Sequence, residues 1–160
     1  VGARSVILGC GNILLGDDGF GPNVANYIED NLEIPPDVCV VDAGTGVRKI
    51  FFDFELDPKP QRLVIVDTID RGKKPGDIFE VALDELGPIL RSDDYSSHLG
   101  PTSNFLFRLR DEHGIEIRII ACQVSETTDL LGAPITEAVE KAIPAAAEMA
   151  LSMAVAGGRD

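Results

Sequence analysis

The chain has 160 residues, 44% of them hydrophobic. That is enough for one domain over 1–160, because about 150 residues bury roughly 68 to 70% of an extended chain's surface. A formal charge of -13 disfavours a nucleic-acid partner, since repulsion opposes approach to phosphates. No apolar run is long enough to cross a membrane and no signal-peptide pattern opens the chain. Cys10, Cys39 and Cys122 lack CxxC spacing, so they read as reduced core thiols of a cytoplasmic protein.

In chain order, Val6-Ile7-Leu8 predicts a buried strand that runs into a glycine-rich turn, Gly9 to Gly21, carrying the adjacent acids Asp17 and Asp18. Pro22 is favoured at a first helical position and predicts a helix from there with Gly21 as N-cap. Val24, Ile28 and Leu32 form its apolar face, and Pro35-Pro36 ends it. Val38-Cys39-Val40-Val41 predicts a second strand, stopping at Asp42-Ala43-Gly44-Thr45-Gly46. Val47, Ile50, Phe51 and Phe54 suggest a short helix, and Leu63-Val64-Ile65-Val66 a third strand leading into Asp67.

Only the stretch Thr68 to Gly76 separates Asp67 from a strand-like segment, Asp77 to Leu83. A parallel crossover needs a dozen or more residues, so the fourth strand is expected to be antiparallel and at an edge. A turn of helix and a polar loop then lead to His98. A helix over roughly Thr102 to His113 stops at Gly114, Ile115 to Ile120 predicts the last strand, and Thr136 to Val155 a closing helix containing Pro144. Strands alternating with helices predict an α/β three-layer sandwich, mostly parallel, with one antiparallel strand and helices on both faces. Asp18, Asp42 and Asp67 then share the carboxyl ends of the first three strands, where such sheets place ligands.

A dinucleotide site is the first reading to test, because Gly9-Cys10-Gly11 follows a strand and Asp42 ends the next. Leu14 stands where the third glycine is required, and Asp17 and Asp18 bring charge of the wrong sign. Asp18, Asp67 and His98 make a better set. Two carboxylates about 4 Å apart repel by about 4 kcal/mol at an effective dielectric of 20, and a divalent metal relieves this. One imidazole and two carboxylates suit Ni(II), Zn(II) or Fe(II). Taken singly, Asp67 reads first as a turn residue and only the set of three tilts it toward a ligand, whereas Asp42 is equally a ligand-orienting acid or an Asx turn. Asp17 is expected to brace its turn or a helix start, and His113 to be structural at a helix end. Cys10 is a core thiol or a nucleophile, and no GxSxG elbow supports a serine hydrolase.

The run Gly9-Cys10-Gly11-Asn12-Ile13-Leu14-Leu15-Gly16-Asp17-Asp18-Gly19-Phe20-Gly21, then Asp42-Ala43-Gly44-Thr45, Val66-Asp67 and Ser97-His98, resembles the [NiFe]-hydrogenase maturation endopeptidases over nearly the whole chain. A subgroup serving F420-reducing hydrogenases is similar too. Val124 departs from the proline found after the glutamine in many members. The resemblance implies a five-stranded twisted sheet, with Asp18, Asp67 and His98 as the metal-contacting and catalytic positions and Asp42, Gly44 and Thr45 as substrate-binding positions. The implied activity removes a C-terminal extension from the hydrogenase large-subunit precursor after nickel insertion. The nickel is supplied by the precursor, and neither nucleotide cofactor, nucleic acid nor membrane is involved. The rival readings are a non-proteolytic nickel-binding chaperone, which would leave the precursor's mass unchanged, and a nucleotide-binding module.

Overall fold

A computed structural model describes residues 3–46, 59–90, 103–125 and 131–156. Its strands are β1 (Ser5–Cys10), β2 (Val38–Gly44), β3 (Arg62–Ile69), β4 (Ile78–Val81) and β5 (Glu116–Gln123), in the spatial order β2-β1-β3-β5-β4. All neighbours are parallel except β4, which pairs antiparallel with β5 at the edge. The short connection predicted that orientation. The neighbour is β5 rather than β3, so the chain passes the end of β5 to reach β4. Buried Gln123 holds this crossing: its Oε1 accepts from the N–H groups of Arg71 (2.8 Å) and Lys73 (3.2 Å), and its Nε2 donates to Asp70 (2.9 Å).

The helices are α1 (Phe20–Asn31), α2 (Leu83–Leu90), α3 (Ser103–Asp111) and α4 (Glu137–Val155). Strand side chains alternate between two faces. Ile7, Val64 and Val66 pack with Val24 and Ile28 of α1 and with Val139, Ala146 and Ala150 of α4. On the opposite face Leu8, Leu63 and Ile65 meet Leu86 of α2 and Leu106 and Leu109 of α3. The three layers therefore follow from the period-two strands and the i, i+4 stripes of the helices. An interior proline disfavours a helix by about 3 kcal/mol, yet Pro144 lies within α4. Burial of side chains such as Val139, at roughly 1.5 to 3 kcal/mol each, offsets it.

Three sequence expectations need correction. The first helix begins at Phe20 with Gly19 as N-cap, because a 3-10 turn over Gly16–Gly19 leads straight into it. Pro22 is thus its third residue, where an N–H would still lack an intrahelical acceptor. Cys39 is exposed rather than in the core, because it lies on β2, the edge strand of the sheet. Asp42 and Asp67 lie within the last three residues of longer strands, not beyond them. The helix expected over 47–54 and the loop leading to His98 lie outside the described residues.

Candidate functional site

The strand order reverses between β1 and β3: from β1 the chain goes through α1 to β2 on one side, then to β3 on the other. The crevice at such a switch point is the usual ligand site of an open α/β sheet. Here the backbone is brought unusually close. A Cβ on Gly21 would lie 2.6 Å from the Val66 carbonyl and overlap the Cys10 backbone, and one on Gly9 would overlap the Gly21 carbonyl. The glycines of the turn let the start of α1 sit directly on the ends of β1 and β3, so they serve packing rather than a phosphate cradle.

This approach delivers Asp18 to β3. Asp18 is half-buried; its Oδ2 accepts from the Asn12 N–H (2.9 Å), and its Oδ1 faces the Thr68 hydroxyl at 3.4 Å. Thr68 also donates its N–H to Asp67 Oδ1 (2.8 Å), and Asp67 is only 2% exposed. One threonine thus touches both acids. Among the described residues no three His, Cys, Asp or Glu side chains are grouped to hold a metal ion. His98, the predicted third donor, lies outside those residues.

Asp42 pairs with Gly9 across β1 and β2, and a bulge then shifts the register so that Cys10 faces Gly44. Its Oδ1 accepts from the Gly44 N–H (3.1 Å), with Gly44 in the left-handed region at φ 52°, which is the Asx-turn geometry. Asp42 also lines a cleft of about 380 Å³ with Gly44, Thr45, Pro22 and residues 11–14. The two readings of Asp42 are therefore compatible. At this cleft Ile13 and Leu14 are each 58% exposed, unusual for such side chains and suited to contact with a macromolecule.

Asp17 points the other way. It is fully buried, and its carboxylate accepts from the Ser125 N–H (3.0 Å), the Thr136 N–H (2.7 Å) and the Thr136 hydroxyl (2.8 Å). It braces a helix start, as expected, but that of α4 rather than α1. Cys10 is also fully buried. Burial, then the charges of Asp67 and Asp42, push its thiol well above the usual range, which favours the core-thiol reading over the nucleophile. His113 precedes β5, whose eight residues span roughly 23 Å at about 3.3 Å per step, and so lies at the far end of the sheet from the site. It meets the Lys59 amine at 2.8 Å. Thr68, Asn12 and Gln123 were missed in the sequence. Thr68 directly follows a strand-end acid and Asn12 falls inside the glycine-rich motif, which were the available signals.

The profile of the HycI hydrogenase maturation protease family matches residues 22–153. This chain belongs to that family. It is a hydrogenase maturation endopeptidase. It is 36% identical over 143 residues to a candidate hydrogenase maturation protease of Methanocaldococcus jannaschii, covering 86% of this chain and 90% of that one. It is also 32% identical over 157 residues to the coenzyme F420 hydrogenase subunit delta of Methanothermobacter thermautotrophicus, covering 93% of each. Among solved structures, the [NiFe] hydrogenase maturation protease HycI of Thermococcus kodakarensis superposes with a TM-score of 0.69 at 26% identity, covering 94% of this chain and 92% of that one. The family profile begins after the Gly9 to Gly21 turn, so the geometry of that turn stands as an observation separate from the profile. No helix among the described residues is long and apolar enough to cross a membrane.

Proposed function

We propose that this endopeptidase removes the C-terminal extension of a [NiFe]-hydrogenase large-subunit precursor and recognises the nickel already inserted in it. Asp18, Asp67 and His98 contact that nickel, and Asp42, Gly44 and Thr45 orient the polypeptide beside it. The observation that carries the reading is the Thr68 bridge: its N–H and hydroxyl bind Asp67 and Asp18 at the same strand end. Two carboxylates and an imidazole suit a borderline divalent ion, so the proposed set binds nickel-bearing precursor better than empty precursor. That difference in affinity is the specificity. The ion also supplies Lewis acidity for peptide hydrolysis. The exposed Ile13 and Leu14 give the cleft an apolar rim suited to a polypeptide.

The test is equilibrium binding of nickel-loaded and nickel-free precursor to the protein and to Asp18→Asn, Asp67→Asn and His98→Gln. Nickel recognition requires at least tenfold tighter binding of loaded precursor, abolished in each variant. Equal affinity for both precursors would end that reading.

A further inference from the structure

The two adjacent acids of the turn face different parts of the protein. Asp18 reaches toward β3 through Thr68, whereas among the described residues every donor to the Asp17 carboxylate comes from 108 or 119 residues further along the chain, at the exit of β5 and the N-cap of α4. A second tie runs parallel to the first: the Gly132 N–H donates to the Leu14 carbonyl at 2.7 Å. The turn bearing Asp18 is therefore clamped at Leu14 and at Asp17 by the segment that enters α4. Within the turn, Asp18 donates its N–H to the Leu15 carbonyl (3.1 Å) and accepts from the Asn12 N–H. Its carboxylate can move little unless the clamp moves.

From this geometry we infer that Asp17 is a positioning residue, holding Asp18 in register with Thr68 and Asp67 by anchoring the 3-10 turn to Ser125 and Thr136. The inference rests on the proposed role of Asp18. A carboxylate is required because all three partners donate. An asparagine in its place would offer one oxygen and turn its amide N–H₂ toward a backbone N–H, leaving donors facing each other. Such a mismatch loosens the turn and displaces Asp18, and displacement of about 1 Å at a reacting site can lower a rate by about 10²-fold.

The test compares Asp17→Asn, Thr136→Val and Thr136→Ser with the unsubstituted protein, at a temperature where circular dichroism shows all of them folded. Thr136→Val removes one donor and leaves the Asp17 charge in place, which separates geometry from electrostatics; Thr136→Ser restores the hydroxyl. Two quantities are read: kcat/KM for cleavage of nickel-loaded precursor, and hydrogen exchange of the peptide over residues 12–18. A positioning role predicts a loss of at least tenfold in kcat/KM for Asp17→Asn and a smaller loss for Thr136→Val. Activity returns in Thr136→Ser, and exchange over 12–18 rises in step with each loss. Leu109→Ala, a core change on the other face of the sheet, serves as the destabilised control and keeps both values when folded. Asp18→Asn separates the two layers of argument. If it is inactive while Asp17→Asn cleaves normally, the positioning role is wrong and the carboxylate site stands. If Asp18→Asn itself cleaves normally, both fall.

Discussion

Gly21→Ala tests whether close backbone approach builds the site. The new methyl would stand 2.6 Å from the Val66 carbonyl and 2.5 Å from the Cys10 nitrogen, and both neighbours are backbone in the sheet centre. Ordinary contact is about 3.5 Å or more, so α1 must retreat by roughly 1 Å. Phe20, Val24 and Ile28 are fully buried in that interface, and a gap of 0.5 to 1 Å forfeits about a quarter to a half of each contact's attraction. Overpacking alone costs about 1 to 3 kcal/mol, and the lost packing adds to it, so about 3 kcal/mol or more is expected. For a chain of this size that lowers Tm by roughly 6 to 12 °C. The reference is Gly72→Ala, at φ 67° with nothing within 4 Å of the added methyl. Its cost is backbone strain alone, about 1 kcal/mol and roughly 3 °C. Urea unfolding of both variants decides the matter. A Gly21→Ala protein no less stable than Gly72→Ala would refute the close approach as the origin of the site.

The other expectations concern the thiols and the cleft. In the native protein at pH 8, iodoacetamide should label exposed Cys39 and spare Cys10 and Cys122, read by peptide mass. Burial, then the charges of Asp17 and Asp77, push the Cys122 thiol up to about 12. Above pH 9 the unfolded thiol therefore ionises while the folded one keeps its proton, so stability falls as pH rises, by about 1.4 kcal/mol per unit per buried thiol. Cys122→Ala should flatten that slope in alkaline urea melts. Cys10→Ala should cleave precursor within a few-fold of the unsubstituted rate, whereas a nucleophilic role would abolish cleavage. Asp42→Ala should leave stability within about 1 kcal/mol, since the side chain is exposed and makes one turn hydrogen bond, but raise KM for precursor.

What the sequence made legible was the part written in local patterns. The aliphatic runs at Val6, Val38, Leu63 and Ile115 each mark a strand because an apolar run bounded by turn residues has few other uses. The short link after Asp67 excluded a parallel fourth strand on length alone. Asp18, Asp42 and Asp67 could be placed at one end of the sheet because each stands at or just past the carboxyl end of an aliphatic run, and the described residues bring all three to that end, Asp42 and Asp67 within their strands. What stayed hidden depends on distant contacts. Nothing near Asp17 points to Ser125 and Thr136, and Gln123 ends a strand while ordering a turn more than 50 residues earlier in the chain. The exposure of Cys39 depends on β2 being an edge, which is a property of strand order rather than of the run Val38 to Val41.

Nickel-checked cleavage is tested most directly by the intact mass of the cognate large-subunit precursor, nickel-loaded and nickel-free, before and after incubation with the protein and with Asp18→Asn. One defined C-terminal peptide should be lost from the loaded precursor alone, and only with the unsubstituted protein. Cleavage of the nickel-free precursor at the same rate, or by Asp18→Asn, would contradict the proposed mechanism.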